Sequence, residues 1–221
     1  MTDMDVSANI KVKLPEDEAG ALPISQVLRS VGEQAEGETL TIGDIVEALG
    51  DRAMAILLIL FCLPNCVPVP PGVGLVFGFP MLLVALQMVV GRHKPWLPAA
   101  VLRRRMKVKD YLRLMDVAEP RLRKIESVLK PRYTFLFSDA ADRLMGAFFV
   151  LGAISVILPL PGSNFPPAIA SVLISLAMLE EDGIVLIAGL AIGITGLIYT
   201  TLVGGAVAWA AVAASRSVLG M

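Results

Sequence analysis

The sequence feature that most limits the fold is an uncharged run of 39 residues, residues 53–91, with prolines clustered at its centre. An uninterrupted apolar run of this length is typical of a chain embedded in a membrane. Its central prolines exclude a single helix, because proline lacks the backbone N–H and disfavours helix before it. The run therefore predicts two apolar helices joined by a non-helical elbow, a hairpin that enters the bilayer and returns. The cluster consists of Pro64, Pro68, Pro70 and Pro71.

Composition and charge favour the same class. Apolar residues make up 56% of the 221 residues and charged residues 18%, against about 25% charged in a typical soluble domain. The sequence has none of the repeated alternating strands of a transmembrane barrel. Of the 19 Lys and Arg, 14 lie between Arg92 and Arg143, and basic loops remain on the cytoplasmic side of a membrane. We therefore expect an all-α integral membrane protein with a cytoplasmic basic segment.

The N-terminal 50 residues are more polar than the rest. Residues 1–20 have no apolar pattern, which predicts disorder, and they lack the basic start and apolar run of a signal peptide. Residues 21–50 predict two short amphipathic helices, one from Leu22 to Gln34 and one capped by Thr41. We expect this cytoplasmic region to lie against the membrane or, through acidic side chains such as Glu33, against the basic segment.

Residues 99–140 form that basic segment. Apolar residues at helical spacing predict amphipathic helices that are interrupted at Pro120. Its basic cluster favours adhesion to the anionic inner leaflet, at about 1 kcal/mol per cation; recruitment of an anionic ligand or a protein is the alternative. Nucleic acid is not expected as a partner, because the residues between the cations are aliphatic rather than aromatic. The basic cluster consists of Arg103, Arg104, Arg105, Lys107 and Lys109.

Residues 51–98 and 141–221 are predicted to contain two related membrane hairpins, the second followed by Gly- and Ala-rich helices. The pattern Asp-Arg-x-Met at 51–54 recurs at 142–145, and a Pro-Gly pair follows the apolar helix in each half. The helices before the elbows would be about 17 and about 21 Å long, short of the roughly 30 Å bilayer core. Paired broken segments are typical of transporter sites near the midplane. Compact folding of two hairpins is the alternative.

The two elbows hold the candidate ligand site. Asn65 and Asn164 are amides at points where proline frees backbone groups, and half-helix N-termini favour anions. The elbows could therefore hold an ion or a lipid-linked group; alternatively, the amides only cap the helix ends. The elbow candidates are Asn65, Pro70, Pro71, Gly72, Pro161, Gly162 and Asn164.

The last apolar run, Ile184 to Ser215, is too long for one ordinary membrane helix. Its 32 residues would extend for about 48 Å as a helix. We therefore expect two helices, with a break near Gly196 or at Gly204-Gly205. The Gly, Ala and Thr of this run are typical of closely packed membrane helices, and a homodimer through it is expected.

No catalytic, metal or cofactor site is predicted, and we expect a protein that is not an enzyme. Cys62 and Cys66 have no His or third Cys nearby, and the single histidine, His93, lies at the predicted membrane boundary. The polar residues within the apolar runs are uncharged, which argues against a proton relay or a buried metal. They are Asn65, Gln87, Ser155, Ser163, Asn164, Ser171, Ser175, Thr195, Tyr199, Thr200 and Thr201.

Charged and aromatic residues border the apolar runs. Basic side chains at such positions reach the headgroups, and an indole lies at the membrane–water interface. Anchoring is the expected role, and pairing of the charges with one another or with phosphate is the alternative. The boundary residues are Arg52, Arg92, Trp96, Arg143 and Asp182.

Several short motifs are similar, in the same order, to those of the ExoD family of bacterial exopolysaccharide-synthesis membrane proteins. The similarity covers roughly residues 22–200, with a departure at residues 178–181, where a glycine is expected. It implies an inner-membrane protein linked to exopolysaccharide production, symbiotic infection and alkaline tolerance, with no defined biochemical activity. The motifs are Leu49-Gly50-Asp51-Arg52, Pro68-Val69-Pro70-Pro71-Gly72, Gly91-Arg92, Pro95-Trp96-Leu97-Pro98 and Pro159-Leu160-Pro161-Gly162-x-Asn164, with Gln87 and Asp182 as further motif positions.

Pattern and resemblance together predict an integral membrane helical bundle with two repeated, proline-broken, re-entrant helical hairpins. The function that we expect is non-enzymatic: an inner-membrane component of exopolysaccharide production, acting as a small transporter or channel through the elbows. The alternative is a membrane scaffold that organises the exopolysaccharide machinery without binding a small ligand. The expected partners are the bilayer with its anionic inner leaflet, a second copy of the chain, and that machinery.

Overall fold

The computed structural model describes residues 22–35, 37–67, 73–158, 160 and 162–219. They are mostly helical, so the all-α prediction is confirmed at that level. The predicted disorder of residues 1–20 falls outside the described residues. The elements are α1 (Ile24–Glu33), β1 (Thr39–Thr41), α2 (Ile42–Leu49), α3 (Ala53–Cys62), α4 (Val73–Val89), α5 (Ala99–Leu102), β2 (Arg105–Lys107), α6 (Val108–Val128), α7 (Asp139–Ile157), α8 (Phe165–Glu180) and α9 (Gly183–Leu219), with 3₁₀ turns at Gly50–Arg52, Leu63–Cys66 and Thr134–Leu136.

The chain forms two compact units. Of the described residues, those up to Ala53 and those in Lys94–Val128 form the first unit, which we call the small unit. The described residues in Met54–His93 and from Leu129 onward form the second, which we call the apolar unit.

In the small unit, α1 packs against α6. Val31 and Tyr111 are buried in the contact, and the Tyr111 hydroxyl donates to the Leu28 carbonyl at 2.8 Å. The Glu126 carboxylate accepts hydrogen bonds from the backbone N–H and the hydroxyl of Ser25, both at 2.7 Å, and so caps the first turn of α1. The N-terminal region therefore packs against part of the basic segment.

The ion pairs of this contact have the opposite sense to the one expected. Arg29 of α1 bonds to Asp116 of α6 at 2.6 Å, with Glu119 at 3.4 Å. The cation therefore comes from the N-terminal helix and the acids from the basic segment. Glu33, the expected acidic contact, instead pairs with Arg29 on its own helix at 2.8 Å.

The predicted Thr41 cap is confirmed. The Thr41 hydroxyl accepts from the Asp44 N–H at 3.1 Å, while the Asp44 carboxylate accepts from the Thr41 N–H at 2.8 Å, a capping box. Thr41 also ends β1, which pairs antiparallel with β2 so that Leu40 lies opposite Met106. This strand pair was not predicted, because each strand has three residues and the partners lie far apart in the sequence.

The predicted helix break at Pro120 is wrong, since α6 continues through it. A proline inside a helix removes the N–H that would bond to the carbonyl four residues earlier. Pro120 and Asp116 are both exposed. The freed carbonyl is therefore on the water side of the helix, where the lost bond costs least.

In the apolar unit, α4 and α7 pack antiparallel at close range. A Cβ on Gly146, early in α7, would lie 2.8 Å from the backbone nitrogen of Val89 at the end of α4, and Gly74, at the start of α4, contacts the Val156 carbonyl near the end of α7. Helix α8 packs against α9 and also contacts α7. Phe149 and Ile174 are completely buried where these helices meet.

Helix α9 is a single helix of 37 residues, so the predicted break near Gly196 or Gly204-Gly205 is wrong. The glycines of its first half serve close packing instead. A Cβ on Gly189 would lie 2.8 Å from the Ile174 side chain, and one on Gly196 would lie 2.9 Å from Pro166. Small residues that let helix backbones approach do not need to interrupt a helix.

Among the described residues, two helices are long and apolar enough to cross a membrane, namely Asp139–Ile157 and Gly183–Ser215. The first begins before Met145, where the sequence analysis started it, because the Ser138 hydroxyl accepts from the Ala141 N–H at 3.3 Å and starts the helix there. Its 19 residues correspond to about 28 Å, so it is not the short half-span that was expected.

Candidate functional site

The first elbow begins with a 3₁₀ turn, Leu63–Cys66, directly after α3. Asn65 lies in this turn and is only 1% exposed. Its side-chain N–H donates to the Phe61 carbonyl at 3.1 Å, whereas no described residue donates to its Oδ1. A buried polar atom without a partner costs about 1–3 kcal/mol. Three other candidates of this elbow, Pro70, Pro71 and Gly72, lie outside the described residues.

The second elbow turns on Gly162, whose φ of 72° falls in the left-handed region that favours glycine. The next residue, Ser163, is buried, and its hydroxyl donates to the Leu160 carbonyl at 2.9 Å. Asn164 follows and leads into α8. The remaining candidate of this elbow, Pro161, is outside the described part of the chain.

The structure brings the two elbows together. A Cβ on Gly74, which lies just after the first elbow, would be 2.8 Å from Nδ2 of Asn164 in the second elbow. The turn of the first elbow packs in turn against α8. Asn65 and Asn164, which lie far apart in the sequence, therefore belong to the same end of the apolar unit, and we call this end the elbow end.

The elbow end is polar but uncharged. Its described residues, 63–67 and 162–164, include no Asp, Glu, Lys, Arg or His. The first turn of α8 contains Pro166 and Pro167, which have no N–H to offer. A helix N-terminus attracts anions partly through those free N–H groups. The start of α8 is therefore a poorer anion site than the elbow pattern predicted.

A buried row of polar side chains continues from the first elbow along α8. A Cβ on Gly152 would lie 3.4 Å from the Ser171 hydroxyl and 3.6 Å from the side chain of Met81, and the sulfur of Met81 lies 3.4 Å from that of Cys62. Ser175 follows one turn later on the same face of α8, is completely buried, and has no hydrogen-bond partner within the described chain. We call Cys62, Asn65, Ser171 and Ser175 the polar seam.

Ser171 and Ser175 were expected as polar residues in an apolar run and not as site residues. The signal that could have found them is their spacing of four, which places both hydroxyls on one face of a helix that starts at an elbow. What this face of α8 packs against depends on contacts between segments that are far apart in the sequence, and the sequence pattern alone does not predict those contacts.

Another buried polar pair in the unit is complete. The hydroxyls of Ser155 in α7 and Thr200 in α9 are 2.6 Å apart, and Thr200 also donates to the Gly196 carbonyl at 3.0 Å. This pair joins two packed helices without leaving an unsatisfied atom. In the polar seam, by contrast, Asn65 and Ser175 each have one buried polar atom without a partner among the described residues.

The motif at Gly91-Arg92 closes α4 at the opposite end of the apolar unit. Gly91 has φ 79°, and its N–H donates to the Met88 carbonyl at 2.8 Å while the Arg92 N–H donates to the Gln87 carbonyl at 3.0 Å. This is the Schellman arrangement of a helix C-terminus. The guanidinium of Arg143 lies against Gly91, where a Cβ would be 2.7 Å from it. Gln87 donates through Nε2 to the Leu83 carbonyl at 3.1 Å.

Asp182 holds the turn between α8 and α9. Its buried carboxylate accepts from the backbone N–H groups of Ile184 at 3.0 Å, Val185 at 3.4 Å and Lys130 at 3.0 Å. Burial acts to raise the pKa of Asp182, but the three amide donors outweigh it, and the pKa is lowered from its ordinary value. Asp182 therefore caps α9 and ties it to the segment before α7.

Two boundary residues belong to the small unit. Arg52 donates to the Leu22 carbonyl at 2.7 Å, and Trp96 has an exposed side chain. The five cations of the basic cluster are also exposed, on and beside β2. Within the described residues, no group of three His, Cys, Asp or Glu side chains could hold a metal ion.

Comparison with known proteins decides the family. The family profile described as "Exopolysaccharide synthesis, ExoD" matches residues 24–202. The chain belongs to the ExoD family. It is 28% identical over 186 residues to Protein ExoD of Rhizobium meliloti (strain 1021), covering 82% of this chain and 77% of that protein. It is also 29% identical over 170 residues to an uncharacterized protein of Synechocystis, covering 76% and 77%. No solved structure matches.

The family sequence and the two long apolar helices together indicate a membrane protein involved in exopolysaccharide synthesis. The resemblance given by the sequence motifs is thus confirmed. The motif positions that lie in the apolar unit fall at its two ends, whereas those around Arg52 and Trp96 belong to the small unit. At the end opposite the elbows, Gln87, Gly91 and Asp182 each form hydrogen bonds with backbone groups.

Proposed function

We propose that this ExoD family protein is a non-enzymatic component of exopolysaccharide production in the bacterial inner membrane, acting as a small transporter or channel at its elbow end. The observation that carries the proposal is the contact of Asn164 with Gly74, which joins the two proline elbows inside one apolar unit. Broken helices that meet in this way are typical of transporter sites. The elbows then serve as the place where a small ligand is held.

The test is a double substitution, Asn65→Ala with Asn164→Ala, in a cell that depends on this protein for polymer output. We expect output to fall several-fold at normal protein abundance. Ser155→Ala is the matched control, because it alters a buried polar pair whose two hydroxyls bond to each other and leave no unpartnered atom. If the double variant kept both polymer output and alkaline tolerance, the elbow site would be refuted.

The second candidate function is a scaffold, and the exposed basic cluster favours it. Arg103, Arg104 and Arg105 lie on and before β2 with their side chains in solvent, where they could attract an anionic leaflet or an acidic protein surface. Replacing all three with Gln would then lower polymer output and the recovery of partner proteins together. A variant that changes only membrane orientation would contradict the scaffold.

We propose a multi-pass topology in which the N-terminus and residues 99–140 are cytoplasmic. The hairpins are then repeated and re-entrant, and the exposed second half of α9 joins two copies as a homodimer. Reporter fusions after Glu126 and after Leu219 would map the sides, and cross-linking at Trp209 would detect the dimer. A reporter after Glu126 that is active on the non-cytoplasmic side would contradict the topology, and the absence of a cross-linked dimer at Trp209 would contradict the homodimer.

No catalytic activity is part of the proposal. The chemistry of the elbow end supports this, because Asn, Ser and Gly side chains there have no neighbouring His, Asp or Glu among the described residues to activate them. Turnover of a lipid-linked sugar by the purified protein would overturn the non-enzymatic assignment.

A further inference from the structure

The polar seam carries two buried atoms that can form hydrogen bonds and have no partner within the described chain. They are Oδ1 of Asn65, in a residue 1% exposed, and Oγ of Ser175, in a residue 0% exposed. Buried polar groups of folded proteins are normally satisfied by protein or by bound molecules. Ser175 lies on α8, and the turn that contains Asn65 packs against the same helix, so the two unpartnered atoms point to bound molecules and not to packing.

The position of the seam supports this conclusion. Ser171 of α8 lies next to the point where α3, α4, α7 and α8 meet: a Cβ on Gly152 of α7 would be 3.4 Å from the Ser171 hydroxyl and 3.6 Å from the side chain of Met81. The sulfur of Met81 in α4 lies 3.4 Å from that of Cys62. The seam thus lies inside the apolar unit, and it begins at the first elbow.

The chemistry of the seam selects the class of molecule. Oδ1 of Asn65 is an acceptor and needs a donor, so an anion is disfavoured there. The described elbow residues offer no carboxylate to balance a buried cation, and two oxygens are too few to replace its hydration shell. A hydroxyl group can donate to Asn65 and can exchange a hydrogen bond with Ser175. It carries no charge that the seam would have to balance.

We infer that the polar seam binds uncharged hydroxyl groups, supplied either by water or by a sugar or polyol. The inference rests on the proposed transporter function and deepens it, because it names the chemistry that the elbow end accepts. The same seam would then form the inner part of a polar path that starts at Asn65.

The experiment is radiolytic hydroxyl-radical labelling of the full chain in lipid nanodiscs, read out as methionine oxidation. Radicals formed from bound water oxidise the side chains next to it. Met81 touches the seam, whereas Met88 and Met145 are equally buried at the opposite end of the unit. We expect Met81 to be oxidised at least five-fold faster than either control. Equal protection of all three methionines would overturn the inference.

Variants distinguish Met81 oxidation caused by molecules bound at the polar seam from oxidation caused by a general opening of the fold. Asn65→Leu with Ser175→Ala removes both unpartnered atoms, and we expect Met81 oxidation to fall to the level of Met145. Ser155→Ala, outside the seam, should leave it unchanged. Unaltered Met81 labelling in the double variant would overturn the inference. An increase in Met145 oxidation would show that the variant is misfolded. The wild-type ratio is decisive even where a variant fails to fold.

Added solutes identify the source of the hydroxyl. Glycerol and glucose also scavenge radicals in bulk water, so the readout is Met81 oxidation relative to Met145. A lower ratio assigns the seam to a polyol hydroxyl, and an unchanged high ratio assigns it to water; both support the inference. Protection by sulfate or by sodium ions would assign the seam to an ion and overturn it. These outcomes are independent of polymer output, so a hydrated seam in a protein whose elbow variants still make polymer would refute the proposed function alone.

Discussion

The two ends of the apolar unit differ in how completely their polar groups are satisfied. At the end opposite the elbows, Gly91 completes a helix cap and Asp182 accepts three backbone hydrogen bonds. At the elbow end, Asn65 and the nearby Ser175 each keep an unpartnered atom within the described chain. The motif residues of the opposite end therefore stabilise the fold through hydrogen bonds, whereas polar atoms toward the elbow end remain able to form further hydrogen bonds.

The largest expected effect is the loss of stability caused by a substitution at the end opposite the elbows. Asp182→Ala removes the acceptor of three backbone N–H groups, and at about 1 kcal/mol for each bond the unfolding free energy should fall by about 3 kcal/mol. Thermal unfolding in detergent measures it. Asp182→Asn keeps the acceptor oxygen and is the matched control, with a smaller loss. A change below about 0.5 kcal/mol in the Ala variant would show that the satisfied end does not hold the fold.

The next effect concerns Gly91. Gly91→Ala requires a left-handed backbone at an Ala and places a Cβ 2.7 Å from the Arg143 guanidinium, so we expect a loss of about 1–2 kcal/mol. Gly205→Ala in α9 is the control, because nothing lies within 4 Å of its Cβ position, and helix propensity predicts a gain there. Equal effects of the two substitutions in thermal unfolding would remove the role assigned to Gly91.

A smaller change in stability is expected at the elbow end. Asn65→Leu removes one hydrogen bond but also a buried unpartnered oxygen, and the two contributions offset each other to within about 1 kcal/mol. The melting temperature should therefore stay close to that of wild type. A loss as large as that of Asp182→Ala would show that Asn65 is a structural residue like those of the opposite end.

The smallest effect is on the pH dependence of stability. Because the folded pKa of Asp182 is lowered, its carboxylate stabilises the fold fully above its unfolded pKa of about 3.9, and this stabilisation is lost as the pH falls through the folded pKa. The stability difference between wild type and Asp182→Asn should be constant from about pH 5 into the alkaline range. Denaturation curves that converge at alkaline pH would contradict this assignment.

The sequence predicted local features well. The Thr41 cap, the helix predicted from Leu22 to Gln34 and observed at Ile24–Glu33, and the positions of Asn65 and Asn164 at elbows follow from side chains that act within a few residues. It failed where exposure or packing decides. Pro120 is tolerated because its face is exposed, and the glycines of α9 serve close contacts with α8.

The candidate site was predictable only in part. The elbow amides were found because proline and Asn are visible in the sequence, but their proximity depends on the packing of α4 against the second elbow. The polar seam depends on four separate segments, α3, α4, α7 and α8, which bring Cys62, Gly152 and Ser171 together around Met81. The missing partners of Asn65 and Ser175 become visible only when every neighbour is known.

If the elbow end carries the proposed function and the opposite end stabilises the fold, substitutions at the two ends have different effects on polymer output. The most direct test is polymer output per amount of folded protein in Asn65→Leu and in Asp182→Asn, measured in the same strain. We predict a several-fold loss for Asn65→Leu at near-normal abundance, and for Asp182→Asn an output that falls only with the amount of folded protein. Full output per folded molecule in Asn65→Leu would contradict the account.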